Sequence, residues 1–133
     1  METIATVTHV SDRKFDAVSA SGHTVRLEGG AKETGPGPME MVLAALGGCS
    51  TLTIVEFLEK MRQPVTSLEV ELSAERATEP PKVYTKVHAH YRVGGDVDKG
   101  RVERAISLTE EKYCSVHTML AQAAEMTRTV EFV

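Results

Sequence analysis

The chain has 133 residues, 41% of them hydrophobic, which suits one globular domain spanning residues 1–133 with a core of its own. Its net charge of −4 offers no basic surface for nucleic acid and no acidic tail. No stretch approaches the roughly 20 apolar residues that cross a bilayer, and Met1 to Val10 lacks the basic and apolar regions of a signal peptide. A cytoplasmic chain without membrane contact is expected. Trp is absent and Phe and Tyr number three each, so the core must rely on Val, Leu, Ile, Met and Ala.

The first third reads as strands. Thr3 to Val10 is rich in β-branched residues, Lys14 to Ala20 alternates weakly, and Gly22 to Leu27 follows a Ser21-Gly22 turn signal. Gly29-Gly30 and Gly35-Pro36-Gly37-Pro38 then form a loop that leads into a helix, with Pro38 allowed in the first turn. From Met39 to Arg62 the pattern is helical and apolar nearly all round, with only a narrow polar stripe at Glu56 and Lys60. Such a helix is expected to be buried, in a core or at a subunit interface. Gly47-Gly48 predicts a kink, or two consecutive helices with Cys49 opening the second, because each glycine costs about 1 kcal/mol relative to Ala.

Ser67 to Ala74 and Val83 to Val93 alternate cleanly around a Pro80-Pro81 turn, predicting an antiparallel hairpin with one dry face. Asp98 reads as the N-cap of a helix carrying Val102, Ala105, Ile106 and Tyr113. Ser115 reads as the cap of a short helix with Met119, Leu120 and Ala123, and Thr127 to Val133 as a final strand. Strands, a long helix, strands, helices and a strand make an α+β fold rather than a doubly wound sheet.

The chemistry centres on two cysteines, Cys49 and Cys114. In a reducing compartment, two cysteines are more often free, catalytic or redox-active than a permanent staple. Beside Cys49, Gly47-Gly48 removes bulk and Ser50 and Thr51 supply hydroxyls, which suits a small reactant and a hydrogen-bonded thiolate. Cys114 stands just upstream of a helix start, where amide groups favour the thiolate. For both, a small buried hydrophobe is the competing structural reading. His88 and His90 lie two apart at a spacing compatible with metal ligation, but their strand face also carries Tyr84, Lys86 and Arg92 and reads as solvated. His117, three residues after Cys114, would be the base of a Cys/His hydrolase, though no oxyanion signature accompanies it. Gly35-Pro36-Gly37-Pro38 has prolines where a phosphate loop needs donating amides, so no cofactor and no metal are assigned. Arg13 is a turn arginine, and Glu40 complements the long helix's dipole.

The segment Gly37-Pro38-Met39-Glu40-Met41-Val42-Leu43-Ala44-Ala45-Leu46-Gly47-Gly48-Cys49 resembles the helical cysteine motif of the OsmC/Ohr family, the osmotically inducible protein C and organic hydroperoxide resistance proteins. Glu111-Lys112-Tyr113-Cys114-Ser115-Val116 is similar to the family's second cysteine motif. The resemblance spans the whole chain and is nearest to the YhfA-type branch. It implies antiparallel sheets, a long buried central helix and an intertwined homodimer. It also implies a thiol peroxidase acting on organic hydroperoxides, with Cys49 as the peroxidatic and Cys114 as the resolving cysteine. Arg13 matches the arginine that stabilises the thiolate, and Glu40 is the candidate to position it. An external dithiol, typically a lipoyl group in that family, would be the reductant. Two positions depart from the motif: Met39 stands where the peroxidases carry Glu, and Ser115 where the resolving motif often has Pro. One residue along a helix is about 100° of rotation, so Glu40 need not replace the missing carboxylate. A non-catalytic dimer that binds a ligand or senses redox state is the alternative, and a structural domain with two buried thiols is the bland one.

Overall fold

The computed structural model describes residues 1–133, which divide into two compact units, Met1–Ala44 and Ala45–Val133. In the first, β1 (Ala5–Ser11), β2 (Lys14–Ser19) and β3 (Thr24–Glu28) form an antiparallel meander in that order. Asp12 turns the chain between β1 and β2 with φ of 47°, a conformation that Asp tolerates better than most residues. Arg26 of β3 pairs with Asp16 of β2 at 2.6 Å. The Glu28 carboxylate accepts the backbone N–H groups of Glu33 and Thr34 and the Thr34 hydroxyl, which folds the glycine-proline loop back on β3. Gly35 packs directly on the Arg26 carbonyl, where a Cβ has no room. Val7 and Val10 of β1, and Ile4 just before it, are exposed in the single chain.

The helix α1 (Pro38–Lys60) starts in the first unit and runs on into the second. Pro38 occupies its first position, as expected, but the predicted break at Gly47-Gly48 is absent and Cys49 lies mid-helix. The close approach explains the glycine: a Cβ on Gly47 would lie 3.1 Å from Leu72 and 3.3 Å from Val70. The expectation of a wholly buried helix is also corrected. Leu46, Ser50, Ile54 and Leu58, four residues apart, form one buried stripe, while Leu52 is 62% exposed. Contrary to the apolar-run count, α1 is long and apolar enough by length and composition to cross a bilayer, because its Gly, Ser and Thr interrupt the apolar run without adding charge.

The second sheet has the order β4-β5-β6, from β4 (Val65–Arg76), β5 (Tyr84–Gly95) and β6 (Glu125–Phe132). β4 and β5 are the predicted antiparallel hairpin. β6 lies parallel to β5, so the expectation of purely antiparallel sheets is corrected. The physical reason is the intervening crossover of α2 (Lys99–Leu108), a π-helical turn (Thr109–Tyr113) and α3 (Ser115–Leu120), long enough to return the chain in the same direction. The core joins Ile54 and Leu58 of α1 to Tyr91 and Val93 of β5 and to Val102, Ala105 and Ile106 of α2. Each large apolar side chain among them contributes about 1.5–3 kcal/mol on burial. Asp98 caps α2 by accepting the Arg101 N–H at 3.0 Å, as its sequence position predicts.

Candidate active site

Cys49 and Cys114 come together although 65 positions separate them in the chain. The reason is structural: Ser50 belongs to the stripe that α1 buries, and Cys114 closes the π turn, its N–H bonded to Thr109 O at 2.8 Å. Wide turns of this kind occur frequently at functional sites. Cys114 is fully buried, whereas Cys49 keeps partial access to solvent. Both are free thiols, and their sulfurs are in hydrogen-bond contact.

The two sulfurs have opposite acidities. Cys49 accepts backbone N–H groups from Val116 and Ser115, in the first turn of α3, and the thiol of Cys114. The Val116 amide is the largest influence and holds the Cys49 thiol below the usual cysteine range against partial burial. Cys49 therefore draws on the N-terminus of α3 rather than on a helix that it opens itself. Burial pushes the Cys114 thiol up, opposed by hydrogen bonds from Ser50 and from the His117 N–H. Cys114, not Ser115, is the N-cap of α3: its sulfur accepts the His117 N–H at 3.4 Å. Of the two thiols, Cys49 is the one that ionises more readily, with the Cys114 thiol as one of its donors.

Around the pair lies a polar network. Ser50 Oγ is 3.3 Å from Cys114 Sγ and is also hydrogen-bonded to the phenol of Tyr91. Burial, reinforced by the nearby Glu110 charge, pushes the Tyr91 phenol up to about 12, so it stays a donor. Glu110 pairs with Arg128 at 3.0 Å and with His117 Nε2 at 3.5 Å. Arg128 also donates to Ser107 at 2.8 Å. Ser50, Tyr91, Glu110 and His117 share a narrow cavity with Leu46 and Met126. The hydroxyls expected to serve Cys49 go elsewhere: Ser50 turns to Cys114, and Thr51 donates to the Gly47 carbonyl at 2.7 Å.

Arg13 and Glu40, also expected at the site, belong to the first unit. Arg13 lies exposed in the β1–β2 turn, its methylene stem against Gly29 and Gly30. Glu40 is not its partner: its carboxylate accepts the Gly37 N–H at 2.9 Å and pairs with Lys32 at 3.2 Å. Those contacts, the Gly37 amide foremost, hold the Glu40 carboxyl below its ordinary range. His88 and His90 use both ring nitrogens, the first on Thr127 and Thr129 and the second on Thr129 and Glu131. No group of three metal-ligating side chains is assembled.

A sequence profile for OsmC-like proteins matches residues 29–128. The chain belongs to the OsmC family. Among OsmC relatives, Protein YhfA of Escherichia coli (strain K12) is 43% identical over 130 residues, 97% of each chain. The structure of a hypothetical protein from Aquifex aeolicus VF5 is 28% identical, with a TM-score of 0.85 over 100% of this chain and 99% of that one. The OsmC fold also extends to the organic hydroperoxide resistance protein OhrB of Bacillus subtilis, at 14% identity and a TM-score of 0.69 over 96% of this chain and 97% of that one.

Proposed function

We propose that this OsmC-family chain is a two-cysteine thiol peroxidase that reduces organic hydroperoxides in oxidative-stress defence. The observation that carries the reading is a partly accessible thiol with lowered pKa, Cys49, hydrogen-bonded to a buried thiol with raised pKa, Cys114. The family membership and the fold shared with a hydroperoxide resistance protein support it. The Cys49 thiolate attacks the distal peroxide oxygen and the O–O bond breaks. The alkoxide takes up a proton and leaves as alcohol, and Cys49 becomes a sulfenic acid. The Cys114 sulfur then displaces the hydroxyl, forming the Cys49–Cys114 disulfide and water. An external dithiol, a lipoyl group among the candidates, reduces the disulfide and is itself oxidised to a disulfide. No cofactor takes part.

Arg13 is the proposed cationic partner of the thiolate and the peroxide. Glu40 enters only through Lys32, since its carboxylate is committed there. We assign the working unit to a cytoplasmic homodimer. Its support is the apolar surface that a single chain leaves open at Ile4, Val7 and Val10 of the first unit and at Leu52 and Val55 of α1. With one stripe of α1 committed to the core, its apolar composition serves packing rather than a membrane span.

The test is organic hydroperoxide consumption in the presence of a dithiol, with intact mass after one equivalent of oxidant. The reading expects loss of two hydrogens and of both thiols; full activity in Cys49→Ser would overturn it. A redox-sensing dimer is favoured by one observation, the pairing of Glu40 with Lys32 beside Met39, and it predicts disulfide formation without catalytic turnover.

A further inference from the structure

We propose that Ser50, held by Tyr91, is a positioning residue for the Cys114 sulfur and acts in the step that closes the disulfide. The inference rests on the two-cysteine reading above. Ser50 is 2% exposed and Tyr91 1%, so neither hydroxyl can turn to bulk water. Burying a hydroxyl is unfavourable unless it is hydrogen-bonded. Along its stripe, Ser50 is the polar position between Leu46 and Ile54, both apolar. Its Oγ lies 3.3 Å from Cys114 Sγ and is bonded to the Tyr91 phenol.

The direction of these bonds follows from the chemistry. A thiolate sulfur only accepts, so Ser50 must donate its single hydrogen to ionised Cys114. The Ser50 oxygen is then free to accept the phenolic hydrogen of Tyr91. The chain of donors, Tyr91 to Ser50 to Cys114, ends on the sulfur that has no solvent to stabilise its charge. Cys49 needs none of it, because the Val116 and Ser115 amides hold its sulfur.

In the closing step the Cys114 sulfur attacks the sulfur of the Cys49 sulfenic acid. The S–S bond forms, the S–O bond breaks, and the departing hydroxyl combines with the thiol proton to leave as water. Cys114 sulfur is oxidised as Cys49 sulfur is reduced from the sulfenic state. Ser50 and Tyr91 stabilise the charge on the attacking sulfur and remain unchanged.

Single-turnover oxidation by one equivalent of cumene hydroperoxide separates the two steps, with a dimedone trap reporting sulfenic acid and intact mass reporting disulfide. Ser50→Ala is expected to oxidise Cys49 at close to the normal rate and to close the disulfide about tenfold more slowly, the weight of one hydrogen bond to a charged group. Its closure rate should need a higher pH, while the groups around the sulfur are otherwise kept: Cys49 on α1, Tyr91 on β5, Glu110 on the π turn, His117 on α3 and Arg128 on β6. Tyr91→Phe should slow closure less, and it carries the same test if Ser50→Ala does not fold. Closure at the normal rate and pH in a folded variant overturns the inference and leaves the two-cysteine reading standing. Wild-type protein in which Cys49 never reaches the sulfenic state overturns both.

Discussion

The Cys49 sulfur, in the middle of one helix, accepts the backbone N–H of Val116 in the first turn of another. A helix start placed against a thiol from elsewhere in the chain separates its two uses: it holds the Cys49 thiolate through the Val116 amide and caps itself on Cys114 through the His117 amide. Because the Cys49 thiol lies below its ordinary range and the Cys114 thiol above, thiolate at neutral pH concentrates on Cys49. Iodoacetamide at neutral pH should therefore label Cys49 first, with a rate that levels off at lower pH than for an ordinary cysteine. Peptide mass mapping of singly labelled protein checks this; equal or preferential labelling of Cys114 would contradict it.

Ser115 follows Cys114, where the motif resemblance leads us to expect Pro, and its amide is the smallest of the influences on Cys49. Proline is also well tolerated in the first helical position. Ser115→Pro should accordingly lower the Cys49 alkylation rate by no more than about tenfold, or about 1.4 kcal/mol, since the other donors remain and the full weight of a hydrogen bond to a charged group is about 1.5–3 kcal/mol. A larger loss would place the main donor at Ser115 rather than Val116.

Much of the fold was legible because periodicity survives in the chain itself. The β4–β5 hairpin follows from alternation at Leu68, Val70 and Leu72, and the α2 cap from Asp98. The parallel seat of β6 was not legible, since alternation gives a strand's faces but not its direction beside a neighbour. Nor was the continuity of α1. Glycine propensity argues for a break, whereas packing against Val70 and Leu72 supplies what propensity withholds. Of the candidate site, the cysteines stood out by their rarity. Ser50 was read as a hydroxyl for Cys49 rather than for Cys114, and Tyr91, Glu110 and Arg128 did not stand out, because residues brought together from β5, the π turn and β6 share no local pattern.

Gly47 gives a direct check on that packing. A side chain there enters the space occupied by the Leu72 and Val70 methyl groups, so Gly47→Val should destabilise the chain by about 1–3 kcal/mol through overpacking. Denaturant unfolding measures it. Stability equal to or above wild type would mean that α1 and β4 stand farther apart than described.

Arg13 and Glu40 separate cleanly in a paired experiment. Glu40 is bound to Lys32 and the Gly37 amide, so Glu40→Gln should leave the hydroperoxide rate nearly unchanged. Its carboxyl is held below the ordinary range, so its contribution to stability is present above the unfolded pKa and fades as pH falls through the folded one. The loss in Glu40→Gln should thus show at neutral pH and vanish in acid. Arg13→Ala should slow Cys49 oxidation if Arg13 serves the thiolate. Equal rates in wild type and Arg13→Ala would remove Arg13 from the mechanism, and a large rate loss in Glu40→Gln would give Glu40 a direct part in it rather than an indirect one through Lys32.

The apolar face left open on α1 offers the last test. Leu52 is 62% exposed and Val55 38%, on a helix whose opposite stripe is already committed to the core. Covering them requires a partner, and a second copy of this chain is the proposed one. Leu52→Lys would place a charge in that interface, where an unpaired buried ammonium is strongly unfavourable. The chain should then shift towards monomer at micromolar concentration, as read by sedimentation equilibrium. Because Leu52 lies outside the core cluster of Ile54, Leu58, Tyr91 and Val93, the far-ultraviolet circular dichroism of the variant should keep its helical signal. An unchanged dimer mass in Leu52→Lys would move the interface off this face of α1, and a monomeric wild type would exclude it altogether.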